Sequence, residues 1–308
     1  MSEPLVSIVC AVYNHEPYIR QCLDGFVMQK TTFPFEVLIH DDASTDGSAG
    51  IIREYEAEYP GLFLPVYQNE NQYSKGVDIC LEVLLPQAHG KYIAICEGDD
   101  FWTDPLKLQK QVDFMENHPD CSLCFHKVYV LCDESEKWIF SNLQPGYYSA
   151  RQIYDDWLVP TCSVLYRRDV KPAPEIVPEV VFSDIFLWLQ LAEKGKLFCM
   201  DFVGATYRRH PDSFSCGYSS DTCVRLFYQY RFFEKRFPDL KDISRRKEEQ
   251  QGLKGIIRAQ YFPGIWKYRF YYMFRHPELF FSTFFTTTIL SYTPVRKLKG
   301  WRKRLKKS

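Results

Sequence analysis

Three short apolar runs, each cut off by a polar cluster, limit what this chain can fold into. They are Leu-Val-Ser-Ile-Val-Cys-Ala-Val over 5–12, Phe-Glu-Val-Leu-Ile-His over 35–40 and Tyr-Ile-Ala-Ile-Cys over 92–96. Runs of this length suit strands buried on both faces of a parallel sheet. Between the first two, Ile19, Cys22, Leu23 and Phe26 recur at helical spacing after Pro17, a residue tolerated in a first helical turn. Ile51, Ile52 and Tyr55 predict a second helix, 63–67 a third strand, and 79–85 a further helix. Strand and helix therefore alternate through the first hundred residues, which implies an α/β fold with a mostly parallel sheet flanked by helices. In such sheets ligands bind beyond the carboxyl ends of the strands.

The polar clusters stand at those ends. Tyr13-Asn14-His15 follows the first run, and Asp41-Asp42-Ala-Ser-Thr-Asp-Gly47 follows the second, rich in helix-capping residues. The third run ends in Glu97-Gly98-Asp99-Asp100. Three carboxylates in four residues repel unless a cation or a proton intervenes. Mg²⁺ and Mn²⁺ take oxygen ligands of this kind beside substrate phosphates. A solvated acidic turn is the alternative for the cluster alone. Its convergence with two other polar strand ends on one crevice favours a ligand site.

Further along, Leu108, Val112 and Met115 line a helix after Asp104-Pro105, 121–131 reads as a longer strand, and 161–166 as another after Pro160. Ser183-Asp184 opens a helix striped by Ile185, Trp188, Leu189 and Ala192, and 197–207 returns as strand before Arg208-Arg209-His210. Beyond Ser220 the pattern becomes helical and rich in Phe, Tyr and Arg, so the expected division is a domain over 1–215 and a helical extension over 216–308.

A net charge of −1 supplies no field for nucleic acid. Eleven cysteines without a repeating spacing, on a chain that begins directly with a strand pattern, predict free thiols in a reducing cytoplasm. Cys121 and Cys124, with His126 and Cys132 nearby, invite a zinc reading, but Cys121, Leu123 and Phe125 alternate as in a strand. In the tail, 279–290 is apolar and aromatic but too short to span a bilayer, and the thirteen residues from 296 to 308 hold eight Lys or Arg and no acid. That pattern predicts peripheral contact with an anionic membrane surface, with a helix packed on the protein as the alternative.

The motifs Val-Ser-Ile-Val-Cys-Ala-Val-Tyr-Asn14, Glu-Val-Leu-Ile-His-Asp-Asp-Ala-Ser-Thr-Asp-Gly-Ser48 and Glu97-Gly-Asp-Asp-Phe-Trp-Thr-Asp-Pro-Leu-Lys-Leu108 resemble family-2 glycosyltransferases of the bacterial cell-surface glycan type. The resemblance runs from about residue 4 to 215. It implies the A-type nucleotide-sugar fold (GT-A), a Rossmann-like sheet, and inverting transfer from a nucleotide-sugar donor, a UDP-sugar by the base-binding residues, to a glycan or lipid-linked acceptor. By this resemblance Ala11, Tyr13 and Asn14 hold the nucleotide base, with Tyr13 stacking on it. Asp42 accepts a hydrogen bond from the base imide, which favours uracil, and Asp41 supports the turn. Asp99 and Asp100 match the metal-binding acidic motif, Asp100 as a direct ligand of Mg²⁺ or Mn²⁺ and Asp99 toward metal, sugar or ribose. Glu97 stands where many members carry Asp, which keeps the charge and lengthens the reach to the metal. His210 matches a histidine that contacts metal or diphosphate, with a plain surface histidine as the alternative. Lys75, in the polar loop over 69–76, can meet the diphosphate, or is simply solvated.

Asp184 matches the family's catalytic base. Inversion needs one base on the acceptor hydroxyl, opposite the departing diphosphate. A position at a helix N-terminus predicts a lowered pKa for it, and a plain helix cap is the alternative role. Two other function classes are weaker. A sugar nucleotidyltransferase requires a glycine-rich phosphate loop after the first strand, where this chain has Tyr13-Asn14-His15-Glu16. A non-catalytic glycan- or nucleotide-binding module requires neither the acidic cluster nor Asp184.

Overall fold

The computed structural model describes residues 3–132, 136–140, 143–170, 177, 180–211, 213 and 220–258. The chain divides into two compact units, Met1–Pro178 with Phe182–Gly217, and Glu179–Val181 with Tyr218–Ser308. The tail segments 279–290 and 296–308 lie outside the described residues. Among the described residues, no helix is long and apolar enough to cross a membrane.

The first unit is built on a mixed sheet whose parallel ladders carry most of the paired residues. Strands β1 (Val6–Val12), β2 (Phe35–Asp41), β3 (Phe63–Tyr67) and β4 (Tyr92–Ile95) pair in parallel in the order β3-β2-β1-β4. Helices α1 (Glu16–Val27) and α2 (Ser48–Glu58) carry the crossovers from β1 to β2 and from β2 to β3. The apolar stripe of α1 works as its spacing predicts, since Ile19, Cys22, Leu23 and Phe26 are all fully buried. Large side chains such as Leu23 and Phe26 each contribute about 1.5–3 kcal/mol by leaving water. The chain then returns to the other side of β1, so that β1 lies between β2 and β4.

Beyond β4 the sheet becomes mixed. It continues through β9 (Leu165–Arg167), β6 (Cys121–Cys132), β10 (Lys196–Arg209) and the two-residue β5 (Phe101–Trp102). Strands β7 (Glu136–Ile139) and β8 (Gly146–Tyr148) add to β6 and β10. Helices α3 (Lys107–Asn117), α4 (Ala150–Asp156) and α5 (Ser183–Ala192) complete the unit. Cys121 and Cys124 lie on β6, as the strand alternation predicted, and both are buried.

Two local expectations are corrected. Residues 79–85 do not form an α-helix: Ile79–Leu84 is a π-helical turn running into the 3-10 turn Leu85–Gln87. Pro86 has no N–H to offer the carbonyl of Glu82, so an α-helical ladder cannot run on. Nor is 161–166 all strand. Ser163 donates from both its amide and its hydroxyl to the Pro160 carbonyl, at 3.0 and 2.7 Å, and closes a 3-10 turn before β9 begins.

In the second unit, helix α6 (Ser220–Arg236) packs against α7 (Lys241–Arg258). Leu226, Phe227, Tyr230 and Phe233 of α6 are buried, as is Phe237 just past its end, at the four-and-three spacing of an apolar stripe.

The N-terminal ends of β1 and β4 are joined by a close approach at Gly90. Its amide donates to Ser7 Oγ at 2.8 Å, and a Cβ there would lie 2.4 Å from the Ser7 nitrogen. Neither backbone can retreat without breaking the ladder. Gly90→Ala is expected to destabilise the protein by about 1–3 kcal/mol, read as a lower urea midpoint at unchanged m-value.

Candidate active site

Parallel pairing puts the carboxyl ends of β1, β2 and β4 on one edge, and the chain reverses its direction of travel at β1. The crevice between β1 and β4 is thus a topological switch point, where open α/β sheets bind ligands. The turns after β1 and β2 are bonded to each other. Asn14 takes a left-handed backbone (φ 55°), its amide donates to Ser44 Oγ at 2.9 Å, and its Oδ1 accepts from the Thr45 amide at 2.8 Å. The His15 amide donates to Ser48 Oγ, and the Glu16 amide to Asp46 Oδ2. Asp41 Oδ2 accepts from the Ser44 amide at 3.2 Å, supporting the turn. Ala43 at φ 59° lacks the local bonding that lets Asn adopt this conformation, so these cross-links must hold it. Tyr13 projects from this edge with 46% of its surface exposed, and the carbonyl of Ala11 accepts from the Gly98 amide at 3.1 Å.

Asp42 is 3% exposed, and both its oxygens have protein partners. Oδ1 accepts from the Gln72 amide at 2.7 Å and Oδ2 from the Tyr73 amide at 3.0 Å, while its carbonyl takes Asn71 Nδ2. The carboxylate therefore clamps the polar loop after β3, and two of its roughly four lone-pair sites remain. In that loop Lys75 pairs with Glu70 at 2.5 Å on the surface.

At the end of β4 the acidic turn brings one oxygen each of Glu97, Asp99 and Asp100 within 4.8 Å of one another. Gly98 permits this, because a Cβ there would lie 2.9 Å from both His15 Nδ1 and Val12 Cγ2. Asp100, 1% exposed, accepts from the Arg208 amide at 2.7 Å through Oδ1, and its Oδ2 is buried without a partner. Asp99 Oδ2 meets His210 Nε2 at 3.1 Å, and its Oδ1 is likewise buried and unpartnered. Burial, then the charges of Asp99 and Glu97, pushes the Asp100 carboxyl well up. Burial acts upward on Asp99 too, but the hydrogen bond from His210 and the nearby His15 hold it below its ordinary value. Glu97 keeps access to solvent, and desolvation of its carboxyl, then the charges of Asp99, Asp184 and Asp78, push it up to about 8. Unpartnered carboxylate oxygens on one turn, beside two carboxyls raised in part by their neighbours' charge, suit a hard divalent cation. His210 borders the group through its Nε2 contact with Asp99, and its Nδ1 is buried and unpartnered.

Asp184 enters the same crevice from the first turn of α5, close enough for its charge to act on Glu97. It is not the helix cap, a position held by Phe182. Its Oδ1 accepts from the Ile185 amide at 2.7 Å, and the Trp157 indole donates to its carboxyl. The lowered pKa expected from the helix terminus is corrected. Burial outweighs these hydrogen bonds and pushes the carboxyl up to about 6. A group with that value is a stronger base than an ordinary aspartate and is still ionised near neutrality.

A family model described as glycosyl transferase family 2 matches residues 7–169. Protein Rv1520 of Mycobacterium tuberculosis is 41% identical over 261 residues, which cover 82% of this chain and 73% of that protein. The chain belongs to glycosyl transferase family 2. The Escherichia coli protein named UDP-Glc:alpha-D-GlcNAc-diphosphoundecaprenol beta-1,3-glucosyltransferase WfaP is 30% identical over 212 residues, 68% of this chain and 80% of its own. The crystal structure of S. aureus TarS 1-349 in complex with UDP-GlcNAc superposes with a TM-score of 0.56 at 17% identity, over 86% of this chain and 69% of that one. That likeness shows the shared GT-A fold.

The transferase thus brings Ala11, Tyr13, Asn14, Asp42, Glu97, Asp99, Asp100, Asp184 and His210 to one edge of the sheet, while Lys75 stands paired on a neighbouring loop. Sequence reading missed three residues of this edge. Asp78 stands directly before an apolar run and looks like a cap, which it also is, accepting from the Leu81 amide at 2.9 Å. Trp157 and Arg208 carry no local signal, because their partners are distant in sequence. Asp42→Asn retains one acceptor oxygen and turns an amide N–H₂ toward a backbone N–H. It is expected to lower stability by about 1–3 kcal/mol. Nucleotide affinity measured on the folded variant by calorimetry separates loop clamping from direct base recognition, since only the latter changes it at constant loop protection in hydrogen exchange.

Proposed function

We propose that this transferase moves a sugar with inversion from a UDP-sugar to a hydroxyl of a glycan or lipid-linked acceptor. The observation that carries the reading is the crevice at the β1–β4 switch point, where the unpartnered oxygens of Asp99 and Asp100 share one edge with Asp184. The name of WfaP, with its UDP-Glc donor, diphosphoundecaprenol-linked acceptor and β linkage, supports donor and acceptor class. The basic tail over 296–308 suits an acceptor presented at an anionic membrane surface.

In this reading Tyr13 stacks on the base, Ala11 and Asn14 border it, and Asp42 offers a remaining lone pair to the imide N–H. Glu97, Asp99 and Asp100 would hold Mg²⁺ or Mn²⁺, which when bound would neutralise charge growing on the leaving diphosphate. His210 and Lys75 add donors toward the same phosphates. Asp184 removes the proton of the acceptor hydroxyl as its oxygen bonds to the anomeric carbon. The bond from that carbon to the diphosphate breaks on the opposite face, inverting the centre.

Asp184→Asn is expected to keep donor binding and to lower kcat by about two to four orders of magnitude. Loss of donor binding as well would make Asp184 structural. Because the base acts ionised, kcat/KM of the wild type should fall as pH drops through about 6. Trp157→Phe removes a donor that favours the ionised form, so its acid limb should move to higher pH. Asp100→Asn keeps an acceptor for the Arg208 amide while removing charge. Turnover should disappear in it, as in the wild type with excess chelator, and its thermal midpoint should not fall. Full activity in chelator would defeat the metal-assisted mechanism, and NMR of the product anomer tests inversion.

A further inference from the structure

Arg208, at the end of β10, is 4% exposed, a burial arginine tolerates only when its donors are engaged. Its contacts run to separate parts of the chain. The backbone amide donates to Asp100 Oδ1, Nη1 donates to the Asp99 carbonyl, and Nη2 donates to Gln21 Oε1 of α1 at 2.6 Å. The guanidinium also lies over two rings, 4.7 Å from the centroid of Tyr18 and 4.9 Å from that of Phe101. The register explains the placement. Strands β5 and β10 pair antiparallel with Thr206 opposite Phe101, so two residues further on Arg208 comes opposite Asp99. The same strand end delivers His210 to Asp99 Oδ2.

One residue therefore fixes one oxygen of Asp100, fixes the main chain of Asp99, and braces both against α1. The atoms it leaves unpartnered are Asp99 Oδ1 and Asp100 Oδ2. We propose that the Arg208 side chain is a positioning residue that sets the divalent-cation affinity of the acidic turn by clamping the Asp99 main chain against α1, beside the Asp100 oxygen that the Arg208 backbone amide holds whatever side chain stands there. The inference rests on the cation reading of that turn. A planar fork reaching two acceptors while stacked between two rings is beyond a lysine, whose ammonium is a point charge. Charge alone can thus be separated from clamping.

The test uses Mn²⁺ alone as probe, with free Mn²⁺ read by electron paramagnetic resonance on the full chain without donor. Arg208→Lys is expected to weaken Mn²⁺ binding about tenfold, as loss of a residue supporting metal ligands does. Its thermal midpoint in chelator should stay close to that of the wild type, and its turnover should be recovered by raised Mn²⁺. Gln21→Ala removes one brace of the guanidinium from outside the turn and should weaken Mn²⁺ binding by a smaller factor. Wild-type Mn²⁺ affinity in folded Arg208→Lys overturns the proposal. Should that variant not fold, unchanged affinity in Gln21→Ala overturns it instead. A wild type that binds no Mn²⁺ defeats the cation reading itself and the clamp with it.

Discussion

The acidic turn at the end of β4 holds more negative charge than the protein neutralises, and the surrounding structure is arranged about that fact. Asp100 and Glu97 are pushed up by burial and by neighbouring carboxylates, and two carboxylate oxygens stay buried without partners. Leaving such atoms unsatisfied costs about 1–3 kcal/mol each. The fold sustains that cost with a core of fully buried strand residues behind the turn, including Val9, Cys10, Ile93 and Cys96. The turn is held on one side by the Gly98 amide on β1 and on the other by Arg208 of β10 and His210 just beyond it. A ligand that brings positive charge relieves what the chain leaves unbalanced.

Backbone strain gathers along the same edge. The non-glycine residues with left-handed backbone among the described residues are Asn14, Ala43 and Trp157. Asn14 and Ala43 sit in the turns after β1 and β2, which bond to each other, and Trp157 donates its indole to Asp184. Strained residues persist where surrounding bonds over-determine them. Here those bonds aim a tyrosine, an acidic turn and a helix-borne carboxylate at one crevice.

The alternation of strands and helices, the parallel order and the polar strand ends were legible because period and composition are local signals. The π-helical turn after Asp78 was not, since the apolar spacing of Ile79–Leu84 is the same for either helix type until Pro86 interrupts the ladder. The pKa of Asp184 was misjudged in sign for a related reason. A helix terminus can be read from sequence, but the burial that outweighs it is set by tertiary packing, and the charge of Asp78, more than a hundred residues away, adds to it.

By itself the sequence determined the strands buried on both faces, the placement of carboxylates at their ends and, through ordered motifs, the family. Each follows from short-range spacing, which survives without knowledge of partners. The tertiary structure alone decided that Asp42 clamps a loop, that Asp184 shares a crevice with Glu97, and that Arg208 meets Asp99 and Asp100 from more than a hundred residues away. Those contacts depend on strand order and on the antiparallel register of β5 with β10. Register is set by packing across the whole sheet and leaves no mark in any one stretch of chain.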